Sequence, residues 1–253
     1  MDFICFCVRI PKGGSRSLAE AVKPAFAQRQ IFYLPDTLNL DGELSTFQRL
    51  RFRRAQAKNL WRHYRTPSLE KAFAVINEKA RGGDLIAGGH ADFPTGRAHI
   101  SMPAKIITIL RDPMSRVVSE YHYVRRSYFR KNPLFRFNNK LLRKIAGRND
   151  FSGYLAFLLE HKNVYGNIAC RYLGWDGREP LPRFFAANVF HSGILEDNQA
   201  FARGLSEKLG RPIGFPHQNL AEKFETSVGA KERAVAEKIY DRDFELYAWQ
   251  KRA

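Results

Sequence analysis

A short basic loop near the beginning of the sequence has the residue types that bind a phosphate group. An apolar run over residues 3–10 leads into residues 11–17, which include Lys12, two glycines and two serines, and an amphipathic stretch follows. Glycines let the backbone approach an anion closely, while the free N–H groups of a following helix and Lys12 supply positive charge. Taken alone, the segment is also compatible with a solvated Gly-Ser turn.

The loop differs from the Walker A pattern of ATP- and GTP-binding proteins, in which a lysine ends the glycine run and a Ser or Thr follows it. Here Lys12 comes before Gly13 and Gly14, and the next residue offers no hydroxyl to hold magnesium. An ATP-dependent kinase with a P-loop-like fold is therefore an alternative that the order of the residues disfavours.

A second candidate anion-binding segment lies further along the chain. Residues 105–110 are apolar enough for a buried parallel strand, and Arg111, Asp112 and Pro113 follow at once. Asp112 is a favourable N-cap and Pro113 a favourable first helical residue, so we expect Arg111 at the carboxyl end of a strand, where open α/β sheets bind ligands. Ser119 lies nearly two turns into the predicted helix. The alternative is an ordinary strand-to-helix turn with a surface arginine.

A histidine in a third segment is a candidate proton acceptor. Residues 84–94 have the pattern of a short strand that runs into a glycine turn, with His90 directly after Gly88 and Gly89. Imidazole groups titrate near neutral pH, so this residue type suits general-base catalysis on a hydroxyl group. By position alone, a turn histidine that packs against Phe93 is the competing interpretation.

Together, and in this order, the three segments resemble the sulfotransferase family that uses 3′-phosphoadenosine 5′-phosphosulfate (PAPS). Residues 11–18 are similar to the family's loop around the 5′-phosphosulfate. Residues 109–121 are similar to its 3′-phosphate segment, which has an arginine and a serine eight residues apart. The resemblance is greatest to the carbohydrate branch that includes heparan sulfate 2-O-sulfotransferases, in a bacterial form. In that branch an arginine precedes the Pro-Lys pair, as Arg9 does here.

The resemblance implies a catalytic pair and a donor site. It assigns Lys12 to the charge that develops on the leaving oxygen, and His90 to the acceptor proton. The residues it assigns to PAPS binding are Lys12, Gly13, Gly14, Ser15, Arg16, Ser17, Arg111 and Ser119. It suggests acceptor contacts at Arg9, Tyr121 and Arg125, and the reaction it implies requires no metal.

Two loop positions depart from the family, in which threonine is usual at both. Gly13 keeps the backbone cradle but loses a hydroxyl, whereas Arg16 adds a donor that suits a phosphate or points to solvent. The Gly-x-x-Gly-x-x-Lys segment of cytosolic small-molecule sulfotransferases is absent, which counts against a phenol or steroid acceptor.

Positive charge is concentrated in two stretches. The net charge is +17, and residues 44–69 and 121–149 together hold 16 Lys or Arg with no acid. An acidic polysaccharide would be steered by such charge. Nucleic acid is a second interpretation, with Trp61, Tyr64, Tyr128 and Phe129 stacking on bases, and a solvated surface is a third. We expect an acidic or neutral glycan acceptor and no nucleic acid, while peripheral membrane association and the oligomeric state stay open.

Predicted strands alternate with predicted helices, which indicates a parallel sheet covered on both faces. The pattern predicts strands at residues 3–10, 31–34, 84–87, 105–110 and 189–194. It predicts helices at residues 16–28, 45–64, 68–80, 113–129, 151–161, 164–173, 197–209 and 230–249. We therefore expect one α/β sulfotransferase domain over residues 1–253, a P-loop-NTPase-like three-layer sandwich with a central parallel sheet of four or five strands.

The composition excludes several other classes of protein. A hydrophobic content of 44% indicates a globular chain. Three cysteines give no disulfide framework, and no His/Cys/carboxylate cluster has zinc spacing. No signal peptide or membrane-spanning apolar run is found, so we expect a cytoplasmic bacterial enzyme. A non-catalytic polyanion-binding protein on the same fold is the remaining alternative.

Overall fold

The computed structural model describes residues 1–34, 69–87, 90–130, 141–215 and 228–253. Its centre is a five-stranded parallel sheet in the order β2-β3-β1-β4-β5. The strands are β1 (Ile4–Cys7), β2 (Ile31–Tyr33), β3 (Leu85–Ala87), β4 (Ala104–Leu110) and β5 (Val189–Ile194). Their apolar and β-branched side chains suit a sheet that is buried on both faces.

The first strand of the chain lies in the middle of the sheet. Cys5 of β1 pairs with Leu85 on one side and with Lys105 on the other. The buried Thr108 hydroxyl in β4 donates to the Val8 carbonyl oxygen at 3.1 Å, which ties the chain just after β1 to its neighbour. Because parallel strands end at the same edge, the segments that follow β1, β3 and β4 meet there. These are the three segments with candidate site residues.

Helices cover the sheet. They are α1 (Ser15–Ala25), α2 (Leu69–Lys79), α3 (Phe93–His99), α4 (Pro113–Phe129), α5 (Leu141–Arg148), α6 (Phe151–Glu160), α7 (Lys162–Tyr165), α8 (Ile168–Leu173), α9 (Leu181–Asn188), α10 (Asn198–Leu209), α11 (Ala230–Ile239) and α12 (Asp241–Arg252). A 3-10 turn, Leu195–Asp197, joins β5 to α10.

Alternating side chains of β1 build a core on each face of the sheet. Phe6 packs edge-to-face against Phe93 of α3, with ring centroids 5.9 Å apart. Cys5 and Cys7 point the other way and join the cluster that contains Val22 of α1. A third cluster packs the apolar stripe of α4 against α6 and α11. The sheet between two helical layers confirms the predicted α/β fold class.

The element boundaries differ from the predictions in three places. β1 ends at Cys7 rather than at residue 10, because the buried Val8 and Ile10 already belong to the turn towards the loop. The predicted helix 164–173 is interrupted at Asn167, whose φ of 46° is left-handed. The predicted helix 230–249 is divided at Tyr240, which separates α11 from α12.

Three short helices were not predicted: α3, α5 and α9. The helix predicted at residues 45–64 lies outside the described residues. Among the helices that the structure describes, none combines the length and the apolar content needed to cross a bilayer.

Candidate active site

The loop between β1 and α1 presents a helix N-terminus without a side-chain cap. Gly14 is the N-cap residue of α1, its φ of 80° is left-handed, and no cap hydrogen bond is formed. A Cβ atom at Gly14 would lie 2.7 Å from Cδ1 of Leu195, so the site requires glycine. The first-turn N–H groups and the positive end of the helix dipole therefore favour an anion at this point.

Lys12 has a backbone conformation that residues with a side chain rarely adopt. Its φ is 63°, in the left-handed region, which costs about 1–2 kcal/mol for an L-residue. Strained residues of this kind cluster at functional sites. The Lys12 ammonium nitrogen lies 4.3 Å from the centroid of the Tyr123 ring, within the range of a cation–π interaction.

The surroundings of Lys12 are strongly positive. Burial lowers the pKa of Lys12, and the charges of Arg111, Arg126 and Arg16 lower it further, while Glu120 acts in the opposite direction. An ammonium group placed in this way gains electrostatic energy when an anion binds beside it. The charge of the loop therefore favours a bound anion, as its backbone does.

Arg111 joins the two anion-binding segments. Its Nη1 donates to the Lys12 carbonyl oxygen at 3.1 Å, across 99 residues of sequence. Burial lowers the pKa of Arg111, whereas Glu196 and Asp112 oppose that shift. Asp112 caps α4 as predicted, because its Oδ1 accepts from the Ser115 N–H at 2.7 Å. The hydrogen bond between Arg111 and Lys12 brings together the two segments that the sequence singled out separately.

One face of α4 points at the loop. Ser119, Tyr123 and Arg126 lie at i, i+4 and i+7, so they share this face. The Tyr123 ring contacts the Lys12 ammonium, and the charge of Arg126 acts on it. Ser119 is half-buried and lies one turn before Tyr123. The face that carries Ser119 therefore lies beside the Lys12 loop.

His90 is attached to the same loop. Its Nδ1 lies 2.9 Å from the Arg9 carbonyl oxygen. A carbonyl oxygen only accepts, so Nδ1 must carry the proton, and the lone pair of the neutral ring is on Nε2. No hydrogen bond to Nε2 from another described residue is present. This contact therefore selects the tautomer of His90 with its proton on Nδ1 and its basic lone pair on Nε2.

The remaining loop residues occupy different environments. Arg9 directs its Nε to the Ser15 carbonyl oxygen at 3.3 Å, so it braces the loop from within. Ser15 is half-buried, Ser17 is 6% exposed, and the Arg16 side chain is exposed to solvent. The roles that the resemblance assigned to these residues stay predictions.

Tyr121 and Arg125 use their polar groups inside the protein. The Tyr121 hydroxyl donates to the Asn149 carbonyl oxygen at 3.0 Å. Nη1 of Arg125 lies 2.8 Å from the same oxygen and 3.2 Å from the carbonyl oxygen of Ala146. Both residues thereby fasten α5 and the turn after it to α4. Their role as acceptor contacts stays a prediction, but these hydrogen bonds compete with it.

The sequence analysis missed two contributors to the site. Tyr123 contacts Lys12, and its spacing from Ser119 was a usable signal, since residues four apart share a helix face. Glu196 accepts from the Asp112 N–H at 3.1 Å, and burial together with a hydrogen bond to Glu196 raises the pKa of Tyr247 in α12. No sequence spacing indicates that second contact, because it depends on the folded position of α12.

Comparison with known proteins identifies the domain. Residues 6–188 match the family model described as a sulfotransferase domain. The match covers more than half of the 253 residues and includes the Lys12 loop, His90 and Arg111. No curated protein matches the chain significantly. β5, Glu196 and α12 lie beyond the matched region.

Proposed function

The chain belongs to the sulfotransferase family, and from this premise we propose that it transfers a sulfuryl group from PAPS to a carbohydrate hydroxyl. The observation that carries the proposal is the hydrogen bond from Arg111 to the Lys12 carbonyl, which unites two segments able to bind phosphate. A donor with a phosphate at each end of one nucleoside needs two such segments at a fixed separation. An ATP site needs only the first.

The residues present fit this donor. The uncapped turn of α1 and the side chains of Lys12 and Ser15 suit the 5′ end, while Arg111 and Ser119 suit the 3′-phosphate. The φ angles of Lys12 and Gly14 turn the loop back on itself at this point. When bound, the donor supplies the sulfuryl group and a phosphate leaving group.

The chain's own residues perform two tasks in the proposed reaction. Lys12 places positive charge where the leaving oxygen becomes negative, and its lowered pKa results from burial and the neighbouring guanidinium groups. His90 accepts the proton of the acceptor hydroxyl at Nε2, because its Nδ1 is held by the Arg9 carbonyl. The Arg9 backbone thus links the base to the loop that carries Lys12.

A carbohydrate acceptor follows from the resemblance to the heparan sulfate 2-O-sulfotransferase branch. The first basic stretch lies outside the described residues, except at its end. The described part of the second includes Arg125, Arg126 and the basic residues of α5. Arg126 acts on the charge of Lys12, so an acidic glycan at this face would lie close to the transferring group. The single domain over residues 1–253 is part of the same proposal.

Calorimetry with 3′-phosphoadenosine 5′-phosphate, the desulfated donor, tests the donor assignment. ATP and AMP serve as comparators, because AMP lacks the 3′-phosphate. We expect micromolar binding that requires the 3′-phosphate and is lost in Arg111→Ala. Arg178→Ala is the matched control, because Arg178 is exposed and pairs only loosely with Asp176 at 3.5 Å.

Two outcomes would replace the proposal. Equal or tighter binding of ATP would favour a kinase. Retention on a heparin column without any nucleotide binding would indicate a polyanion-binding protein. Transfer of labelled sulfate from PAPS to de-O-sulfated heparin, compared with a neutral glycan and with RNA, then tests the acceptor class.

A further inference from the structure

The pair formed by Lys12 and Tyr123 has a feature that the proposed function does not use. The Tyr123 side chain is 52% exposed, although it is a large aromatic group on the face of α4 that carries Ser119. Its ring lies under the Lys12 ammonium at 4.3 Å. Burial in the core therefore does not explain this tyrosine, whereas contact with Lys12 does.

We propose that Tyr123 is a positioning residue that holds the Lys12 ammonium in place for sulfuryl transfer. The inference rests on the proposed function, since it assigns Lys12 to the leaving oxygen. It adds a residue and a physical role that the three sequence segments do not contain.

The charges around Lys12 explain why positioning is needed. Its ammonium group is repelled by Arg111, Arg126 and Arg16. Because a lysine side chain has a flexible four-carbon stem, this repulsion can move the ammonium towards solvent. The opposing charge is Glu120, whose two oxygens accept from Arg116 at 2.8 Å and from Tyr154 at 3.0 Å. Glu120 is therefore engaged by Arg116 and Tyr154, and the described residues show no ion pair between it and Lys12.

An aromatic face is suited to this task in a way that a carboxylate is not. A carboxylate beside Lys12 would neutralise its charge and repel an anionic donor. The face of a tyrosine ring attracts the ammonium through its quadrupole and leaves the positive charge uncancelled. The ring therefore fixes the position of the charge while the site as a whole stays attractive to anions.

Lys12 is thereby held at its backbone and at its ammonium group. Arg111 holds its carbonyl oxygen at 3.1 Å, its φ of 63° sets the direction in which the side chain leaves the loop, and Tyr123 holds the ammonium. A charge fixed before the reaction needs no reorganisation in the transition state. In the proposed function several other groups, among them the amides of α1 and Arg111, also hold the donor, so loss of the ring should lower kcat and leave donor affinity nearly unchanged.

The experiment compares Tyr123→Leu with Tyr123→Phe. Leucine keeps apolar bulk but removes the aromatic face, whereas phenylalanine keeps the face and removes the hydroxyl. A second pair in the molecule supplies the control: the Lys23 ammonium lies 4.9 Å from the centroid of the Tyr33 ring, which is 56% exposed, at the far end of α1. Tyr33→Leu removes a similar contact away from the site.

Sulfate release from PAPS is measured with de-O-sulfated heparin as acceptor and with water alone, so that a result does not depend on the acceptor. We expect Tyr123→Leu to lower kcat about 3- to 30-fold, with the donor KM and the binding of 3′-phosphoadenosine 5′-phosphate changed less than about twofold. Tyr123→Phe and Tyr33→Leu should stay within about twofold of the parent protein.

Equal losses in Tyr123→Leu and Tyr123→Phe, or a loss confined to the donor KM, would overturn the positioning role. Unfolding temperatures of the three variants identify any loss of folded protein. Failure of the proposed function gives a different result: the parent protein would then bind no 3′-phosphoadenosine 5′-phosphate. Parent binding with no difference between the two Tyr123 variants would refute the inference alone.

Discussion

Two cations beside α4 have opposite arrangements of charged groups around them. Arg116 of α4 is 2% exposed and its Nη1 lies 2.8 Å from Glu120 Oε2. Tyr154 donates to the other oxygen of Glu120, and the Tyr240 ring lies 4.7 Å from the Arg116 guanidinium. Lys12, in the loop before α1, instead lies near three guanidinium groups and an aromatic ring.

The difference shows in the pKa values of the two cations. Burial lowers the pKa of both, but at Arg116 the acidic groups of Tyr240, Glu120 and Asp243 reverse the shift and raise it. At Lys12 the neighbouring cations deepen the shift. The surroundings of Arg116 are arranged to stabilise the folded chain, whereas those of Lys12 keep positive charge that a bound anion would neutralise. Substitutions at the two cation sites should therefore affect different properties.

The largest effect is expected for His90→Ala, at the Lys12 loop. Loss of a general base should lower kcat about 10²- to 10⁴-fold with little change in the free energy of unfolding. Steady-state kinetics and a denaturant titration measure the two quantities. His90→Asn is the informative companion, because its amide can still donate to the Arg9 carbonyl but offers no basic nitrogen. Near-normal turnover in either variant would remove His90 from the role of base.

Glu120→Ala should act on stability instead. It leaves the guanidinium of Arg116 buried without its ion-pair partner, which costs about 3–5 kcal/mol of unfolding free energy. The cost is raised further because Nε and Nη2 of Arg116 already lack hydrogen-bond partners among the described residues. Urea denaturation checks the value. Glu237→Ala is the control: its pair with Arg233 is exposed and 3.9 Å long, so a change below about 1 kcal/mol is expected.

Lys12→Ala and Lys12→Gly separate charge from backbone strain. Both should lower kcat about 10²- to 10³-fold, because both remove the ammonium. Alanine keeps the left-handed strain, whereas glycine relieves it, so Lys12→Gly should be more stable than Lys12→Ala by about 1 kcal/mol. Kinetics and thermal unfolding of the pair provide the test. If both variants were strongly destabilised, the contrast between the Lys12 site and the Arg116 site would fail.

His191 extends the comparison to an ionisable group that has neither the acidic partners of Arg116 nor the guanidinium neighbours of Lys12. His191 of β5 is 8% exposed and its Nε2 lies 2.8 Å from the Phe201 carbonyl oxygen. The pKa of His191 is lowered to about 4, mainly by burial and to a smaller extent by the charge of Lys208, while the hydrogen bond to Phe201 acts to raise it. The unfolded state therefore binds the proton first as pH falls, and stability should decline between about pH 6.5 and 4.

The expected loss is on the order of 3 kcal/mol, because each unit between the folded and unfolded pKa corresponds to about 1.4 kcal/mol. The measurement is the urea midpoint as a function of pH for the parent protein and for His191→Asn, which cannot titrate. The parent curve should fall more steeply over this window. Parallel curves for the two proteins would show that His191 does not contribute to acid sensitivity.

The sequence predicted the strands better than it predicted the helices around them. All five strands were predicted, and Arg111 and the Lys12 loop were placed correctly at the ends of strands, because buried parallel strands are continuous apolar runs. α3 and α9 were missed because each is short, at seven and eight residues. Asp92, which accepts from the Thr95 N–H at 2.7 Å, was a cap signal that could have revealed α3.

The charged residues of α4 were the hardest to assign. Arg116 was available in the sequence with Glu120 four residues later, but that spacing does not tell a surface pair from a buried one. Arg125 stays a predicted acceptor contact, and in the fold its guanidinium donates to carbonyl oxygens of α5 and the following turn. Both outcomes depend on which helices pack around α4, and local pattern does not contain that information.

The central place of β1 has a consequence for how the enzyme is made. Ile4–Cys7 leaves the ribosome before its partners, and it pairs with residues 85–86 and 104–107. Closing such long stretches of chain is entropically costly and slows folding. β1 must therefore stay unpaired until residues beyond 107 have been synthesised, a period when chaperones matter most. Catalytic competence then comes late in biosynthesis, although the loop that carries Lys12 is translated before β3 and β4.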